Sequence, residues 1–148
     1  AAVRYPRGQE DTLSITLSGD WTHCSKDSSV LLITYGRQAV ETIKAVESLA
    51  QEGKPVDLLV LNQICPIPQE CIQLARKYPK ILFIEEGILQ GGIGEHFLCM
   101  LSEAPYYGRM QVQGVKQPFL PQMTLAEAQK LCGLDAASIV KRVIELFF

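Results

Sequence analysis

The sequence has 148 residues, of which 47% are hydrophobic and 20% are charged, so it is long enough for one domain with a substantial core. A net charge of −2 and a pI of about 5.7 argue against an electrostatic nucleic-acid binder, which presents a basic face. No apolar run approaches the ~20 residues that a membrane-spanning helix needs, and no secretory signal is visible.

The first part of the chain predicts an edge element, a buried strand and a helix. Residues 13–17 alternate between apolar and polar and, with residues 20–24, predict a hairpin or a strand at the edge of a sheet. Residues 30–34 form a short β-branched run typical of a buried strand. A helix follows Gly36, and four residues define its predicted apolar face: Val40, Ile43, Val46 and Ala50.

Two further buried strands are predicted in the middle of the chain, at residues 57–61 and 81–84. Between them, Pro66 and Pro68 are expected to open a short helix, because proline suits a first helical turn. Strands and helices that alternate at this spacing predict right-handed crossovers on a mainly parallel sheet.

The last part of the chain predicts a helix, a strand and two more helices. The first helix follows a glycine-rich turn, and its predicted buried side comprises Ile93, Phe97, Leu98 and Leu101. Residues 109–115 alternate weakly and predict another strand. Thr124 and Glu127 form a capping box that starts a short helix, which Gly133 ends. Asp135 is expected to cap a final helix that buries three residues: Ile139, Val143 and Phe147.

These elements together predict one α/β domain, with a three-layer α/β/α arrangement around a mixed, mainly parallel sheet of about five strands. We expect residues 13–148 to form this domain and residues 1–12 to be a lead-in. The sequence opens without a methionine, and we expect it to be a fragment of a longer protein.

The strongest local pattern for chemistry is residues 84–94, where a buried strand delivers Glu85 and Glu86 to the carboxyl edge of the sheet. Glycines at 91, 92 and 94 then allow a tight turn into a helix whose start favours an anion. Two interpretations are open: a phosphate or cofactor site, or tight packing of helix on strand without a ligand. The spacing matches neither the dinucleotide fingerprint nor a P-loop.

The other candidate residues predict little chemistry. The five cysteines are widely spaced and contain no Cys-x-x-Cys pair, which argues against a disulfide framework or a zinc site and indicates reduced thiols in a cytoplasmic protein. His23 and Cys24 lack a neighbouring second ligand in the sequence, and His96 is expected to be a surface or satisfied histidine. We therefore predict no metal site and no catalytic residue in this chain.

Glu85-Glu86, four residues and then Gly91-Gly92-x-Gly94 after a buried strand resembles the C-terminal domain shared by transketolases, 2-oxoacid dehydrogenase β chains and deoxyxylulose-phosphate synthases. Thr34-Tyr35-Gly36, followed by an amphipathic helix, is similar to the family's first strand and helix. The synthase branch is favoured by residues 2–8, which resemble its interdomain junction, and by residues 119–122 and 133–135, which resemble its end.

Two departures from the family pattern indicate a divergent branch. Cys65-Pro66-Ile67-Pro68 stands where the family usually has Lys-Pro-Leu-Asp, so a lysine and an aspartate are replaced. Met123 stands where the family usually has a glycine after the pair that corresponds to Pro121-Gln122. Both departures bear on which substrate the enzyme uses more than on which fold the chain adopts.

The resemblance to 1-deoxy-D-xylulose-5-phosphate synthase implies an enzyme that joins pyruvate to glyceraldehyde 3-phosphate with loss of carbon dioxide, in isoprenoid precursor and thiamine biosynthesis. Its thiamine diphosphate and Mg²⁺ would lie between two preceding domains. This domain would then bind no cofactor, be inactive alone and serve packing within a cytoplasmic homodimer. Arg7 matches the junction arginine that binds the substrate phosphate, which a guanidinium can hold with two hydrogen bonds.

Other functions stay open at this point. Within the superfamily, the alternatives are the C-terminal domain of a 2-oxoacid dehydrogenase β chain or of a transketolase. Outside it, the alternative is a stand-alone flavodoxin-like module that binds a phosphate or nucleotide at Gly91, Gly92 and Gly94.

Overall fold

A computed structural model describes residues 13–117 and 119–148 of the chain, so the predicted lead-in at residues 1–12, with Arg7, lies outside the described residues. The strands are β1 (Trp21–Cys24), β2 (Val30–Tyr35), β3 (Asp57–Leu61), β4 (Lys80–Ile88) and β5 (Arg109–Val115). The helices are α1 (Gln38–Gln51), α2 (Gln69–Ala75), α3 (Ile93–Ser102), α4 (Leu125–Cys132) and α5 (Ala136–Phe147).

The five strands form one sheet in the order β1-β3-β2-β4-β5. Only β1 is antiparallel to its neighbour, and the other three pairings are parallel. This confirms the predicted mixed, mainly parallel sheet. The predicted edge strand at residues 20–24 is present as β1. The hairpin with residues 13–17 is wrong, because Leu13, Ile15 and Leu17 instead pack their side chains against the core.

Helices cover both faces of the sheet, which confirms the three-layer arrangement. Side chains of β2 alternate between the two cores: Leu32 faces the side with α1 and α5, whereas Leu31 and Ile33 face the side with α2 and α3. Because both faces are covered, the inner strands are apolar without alternation. Helix α4 has no buried residue and packs outside these layers.

The buried face of α1 differs from the prediction. Ala39, Ile43 and Leu49 are buried, whereas Ala50 is exposed and Val46 is half-buried. The buried face of α1 also includes two polar residues, Gln38 and Thr42, so the spacing of apolar residues alone did not identify it. Gln38 donates from Nε2 to the carbonyl of Leu134 (2.7 Å), and the Thr42 hydroxyl donates to the carbonyl of Gln38 (2.9 Å). These donors are therefore paired inside the core, whereas Gln38 Oε1 has no hydrogen-bond partner among the described residues.

Two element boundaries and one predicted buried residue also differ. Helix α2 begins at Gln69 with Pro68 as its extended N-cap, so Pro66 lies in the preceding loop rather than in the first turn. Leu98 of α3 is 37% exposed, because the buried face of this helix is centred on Phe97 and Leu101. Strand β4 continues to Ile88, past the predicted end, since Ile88 pairs with β5 after a register shift.

The carboxyl-terminal elements follow the prediction closely. Strand β5 has the predicted bounds. The capping box is present, with the Thr124 N–H donating to Glu127 Oε2 (2.8 Å) and the Glu127 N–H donating to Thr124 Oγ1 (3.3 Å). Gly133 ends α4 in the left-handed region at φ 71°, and Asp135 caps α5. The predicted buried residues of α5 are confirmed: Ile139, Val143 and Phe147. Within the described ranges, no helix is both long and apolar enough to cross a bilayer.

Candidate functional site

The candidate site lies at the carboxyl edge of the parallel strands, where ligands bind in open α/β sheets. Strand β2 ends there at Tyr35, and neighbouring β4 brings Glu85 and Glu86 to the same edge. Helix α3 begins there, directly after Gly91 and Gly92. The structure therefore brings the predicted carboxylates and glycines together.

Glu85 is completely buried, and its carboxylate is bonded within the protein. Oε2 accepts hydrogen bonds from the Tyr35 hydroxyl (3.0 Å) and the Ile93 N–H (3.1 Å), and Oε1 accepts from the Gly94 N–H (3.2 Å). The first N–H groups of a helix have no partner within the helix, and its positive dipole end favours a negative charge. The side chain of Glu85 therefore supplies the anion at the start of α3.

Two glycines of the turn are required by how closely the backbone approaches Glu85. A Cβ on Gly92 would overlap Glu85 Oε1 and lie 2.6 Å from the Ile88 carbonyl oxygen. A Cβ on Gly94 would lie 2.5 Å from Val112 Cγ1, closer than real contacts allow. The absence of these side chains lets the helix pack on β4 and β5.

Gly91 has a different role from the other two glycines. Its backbone adopts φ 75°, in the left-handed region that favours glycine, and a Cβ there would meet open space. Its N–H donates to Glu95 Oε2 (2.7 Å), so a second carboxylate of the chain accepts from this turn. Three N–H groups of the turn and helix start are thus bonded to the protein's own carboxylates.

The Tyr35 hydroxyl acts as a hydrogen-bond donor at this site. Burial raises the pKa of Tyr35 above its ordinary value, and the negative charge of Glu85 raises it further. The phenol therefore stays protonated at physiological pH and donates to the carboxylate. This hydrogen bond orients the Glu85 carboxylate at the start of α3.

Glu86 faces outward from the same edge and links neighbouring elements. Its Oε1 lies 3.7 Å from Arg37 Nε and accepts a hydrogen bond from Gln129 Nε2 (3.3 Å). Both charged side chains are about one-third exposed, so the ion pair is expected to contribute little stability. Of the two neighbouring carboxylates, Glu85 is buried and Glu86 faces solvent.

A second polar cluster, which the sequence analysis missed, lies at the opposite end of the sheet. Asp57 begins β3 and is 1% exposed. Its carboxylate accepts hydrogen bonds from two hydroxyl groups, those of Tyr78 (2.6 Å) and Ser25 (3.0 Å). It also accepts from two backbone N–H groups, those of Lys26 (2.7 Å) and Ser28 (3.1 Å). The only signal in the sequence was an aspartate heading an apolar strand.

The electrostatics of the Asp57 cluster indicate a structural role. Burial opposes ionisation of Asp57, but the hydrogen bonds from Tyr78, Lys26, Ser28 and Ser25 outweigh it and lower the pKa of the carboxyl. His23 Nε2 lies 2.9 Å from the Tyr78 hydroxyl and extends the network to the surface. The ionised carboxylate therefore fixes the loop between β1 and β2.

Of the remaining predicted candidates, two lie away from the carboxyl edge, whereas His96 lies in the first turn of α3, where its N–H donates to the carbonyl of Gly92 (3.2 Å). His23 and Cys24 lie on β1, next to the Asp57 cluster, and His96 is an exposed residue of α3. All five cysteines are free, and among residues 13–117 and 119–148 no group of three or more potential ligands is placed to hold a metal ion. Arg7 lies outside the described residues.

Comparisons with known proteins identify the family of this chain. A family model described as transketolase, C-terminal domain, matches residues 19–139. The 1-deoxy-D-xylulose-5-phosphate synthase of Clostridium beijerinckii is 31% identical over 99% of this chain and 25% of its own length. That of Azobacteroides pseudotrichonymphae is 31% identical over 97% of this chain and 24% of its own length. The chain thus spans about a quarter of these relatives.

Solved structures show the same fold. One, described as a split gene transketolase in an inactive β4 tetramer, matches with a TM-score of 0.70 and 24% identity over 79% of this chain and 38% of its own. The transketolase of Campylobacter jejuni matches with a TM-score of 0.58 and 10% identity over 82% of this chain and 17% of its own.

Proposed function

The chain belongs to the family of transketolase C-terminal domains, and on that premise we propose that it is the C-terminal domain of a 1-deoxy-D-xylulose-5-phosphate synthase. The observation that carries the proposal is the alignment of synthases over nearly the whole chain, at 31% identity in two organisms. The enzyme would join pyruvate to glyceraldehyde 3-phosphate with loss of carbon dioxide.

The chemistry of thiamine diphosphate and Mg²⁺ belongs, in this proposal, to preceding domains of the same enzyme. The carboxyl edge of this domain does not fit a diphosphate, because the N–H groups of Ile93 and Gly94, which could bind a phosphate, already donate hydrogen bonds to Glu85. The buried charge of Glu85 would also repel an anion there. The domain alone is then a folded but inactive part of the enzyme.

For the turn at Gly91, Gly92 and Gly94 we propose packing rather than binding. The contacts of Gly92 and Gly94 with Glu85 and Val112 support this proposal, since side chains there would separate α3 from the sheet. The partners of the domain would be the preceding domains, within a homodimer. The five free thiols suit a reducing compartment, and we place the enzyme in the cytoplasm.

Arg7 is our proposed ligand for the substrate phosphate, within a junction formed by residues 1–12. In the full-length enzyme, Arg7→Ala should raise the KM for glyceraldehyde 3-phosphate far more than the KM for pyruvate, because only the aldehyde carries the phosphate. Arg4→Ala is the matched control, and we expect it to change neither KM appreciably. Equal increases for both substrates would contradict the phosphate-binding role.

The isolated chain offers a direct test of where the cofactor binds. Calorimetry should detect no magnesium-dependent binding of thiamine diphosphate, since the cofactor site would lie in the preceding domains. Tight, magnesium-dependent binding would contradict the proposal. A thermal-shift screen completes the test, because stabilisation by flavin mononucleotide or a nucleoside monophosphate, without stabilisation by pyrophosphate, would instead favour a stand-alone binding module.

A further inference from the structure

The outer edge of the sheet carries a concentration of positive charge that the proposed synthase function does not use. Two adjoining cavities, of about 310 and 270 Å³, lie beside the end of β5, the larger against α5 and the smaller against the end of α4. Cavities near this size accommodate small ligands. Both are lined by Gln113, Lys116 and Gly133, and we call the two cavities together the β5 groove.

The charge of the β5 groove differs from that of the whole molecule. Its charged lining residues are Lys116, Lys130, Lys141, Arg142 and Glu145. Four cations and one carboxylate leave a net charge of +3, whereas the whole chain carries −2. A concave surface lined by one sign of charge focuses the electrostatic potential and attracts the opposite sign.

The single carboxylate neutralises little of this charge. Glu145 Oε1 lies 3.9 Å from Lys141 Nζ, and the two side chains are 50% and 79% exposed. Exposed pairs of this kind are weak, and the order with lysine before glutamate in a helix is the less favourable one. Lys141 therefore stays able to bind an external anion.

The fold holds Arg142 and the uncharged lining residues of the β5 groove in place. Arg142 Nη2 donates to Gln111 Oε1 (2.9 Å), which fixes the guanidinium against β5, and its Nε is buried without a hydrogen-bond partner among the described residues. Gln113 Nε2 donates to the carbonyl of Cys132 (3.0 Å). Gly133, in its left-handed conformation, places no side chain between the two cavities.

We propose that the β5 groove binds a small anion with two phosphate groups. A singly charged carboxylate would neutralise only part of the excess charge, whereas a diphosphate carries enough negative charge to match it. Arginine and lysine are the side chains that recognise phosphate, the first through its planar fork and the second as a mobile point charge. This site does not depend on the proposed synthase function.

The test is a titration of the chain with inorganic pyrophosphate at constant ionic strength without magnesium, followed through the amide resonances of Gly114 and Gly133. Saturable binding is expected, and Lys116→Gln should weaken it roughly 3-fold to 10-fold, since Lys116 lines both cavities. Glu145→Gln should tighten it roughly 2-fold to 5-fold. Magnesium should weaken it by neutralising the ligand, opposite to its effect at a thiamine diphosphate site.

Lys77→Gln is the matched control, because it removes the same charge from an exposed lysine that lines neither cavity. If pyrophosphate binds in the β5 groove, we expect this variant to bind it as tightly as the unmodified chain does. An equal loss in Lys77→Gln and Lys116→Gln would reveal non-specific charge attraction and overturn the proposal. So would the absence of saturable binding up to roughly 10 mM pyrophosphate. Methyl diphosphate forms a second arm: tighter binding of this ester assigns an organic diphosphate, and tighter binding of pyrophosphate assigns the free anion.

Discussion

Glu85 and Gly94 are nine residues apart in the sequence, yet the carboxylate of the first accepts the backbone N–H of the second at 3.2 Å. A strand side chain thus caps the helix that follows it. Because the carboxylate is fully buried and also accepts from Tyr35 and Ile93, β4, β2 and α3 are joined at one point. The glycines of the turn allow this contact.

Glu85→Gln should lower the free energy of unfolding by about 2 kcal/mol, because the amide loses the charge that favours the helix start and turns a donor toward N–H groups. Urea denaturation measures the change. Glu86→Gln is the control at the next position, where the side chain is exposed, and its effect should stay within about 0.5 kcal/mol. Equal losses in both variants would contradict the capping role.

Gly94→Ala should destabilise the fold by roughly 1–3 kcal/mol, since its Cβ would lie 2.5 Å from Val112 Cγ1 in a packed interior. The double variant with Val112→Ala removes the obstructing methyl groups. It should therefore be more stable than the sum of the two single changes predicts. A double-mutant cycle measures this coupling, and strict additivity would show that the two residues do not compete for space.

The ionised carboxylate of Asp57 should make the folded chain less stable in acid. Folding lowers the pKa of this carboxyl, so its contribution is present above the ordinary value near pH 4 and is lost as the pH falls through the folded value. Asp57→Asn should cost about 2 kcal/mol at pH 7 and flatten the decline below about pH 4. Unfolding free energies across this range measure both effects.

Asp20→Asn provides the comparison for Asp57, because it changes an exposed aspartate. Its stability should follow the unmodified chain at every pH. If Asp57→Asn kept the full acid dependence of the unmodified chain, another group would be responsible for it.

The cysteines should react at sharply different rates with a thiol reagent at pH 8. Cys65 and Cys99 are exposed and should react first. Burial raises the pKa of the Cys71 thiol to about 12, so its reactive thiolate is scarce and sheltered in the native state. Cys71→Ser should leave the fast phase unchanged and remove one thiol from the total released by denaturant. Rapid modification of Cys71 in the native chain would contradict the described core.

The sequence predicted the elements whose apolar spacing or capping residues are local. The caps at Thr124 and Asp135 and the buried face of α5 followed from neighbouring residues alone. The face of α1 was misplaced because Gln38 and Thr42 are polar residues that are nevertheless buried, where their side chains donate hydrogen bonds to backbone carbonyls.

The candidate site was predictable in position but not in its internal contacts. The glycine pattern placed a tight turn at the carboxyl edge, yet it did not show that Glu85 would occupy the helix start. A cap contributed by a preceding strand depends on how the strand and helix cross. The Asp57 cluster needs three segments that meet only in the folded chain, with Ser25 and Tyr78 contributed from either side.

We have proposed that this chain is the C-terminal domain of a synthase whose catalytic groups lie in preceding domains. The most direct measurement is carbon dioxide release from pyruvate, with thiamine diphosphate and Mg²⁺, by the full-length protein and by the isolated chain. We expect release by the full-length protein that depends on glyceraldehyde 3-phosphate, and none by the isolated chain. Release by the isolated chain, or release by the full-length protein without regard to the aldehyde, would contradict it.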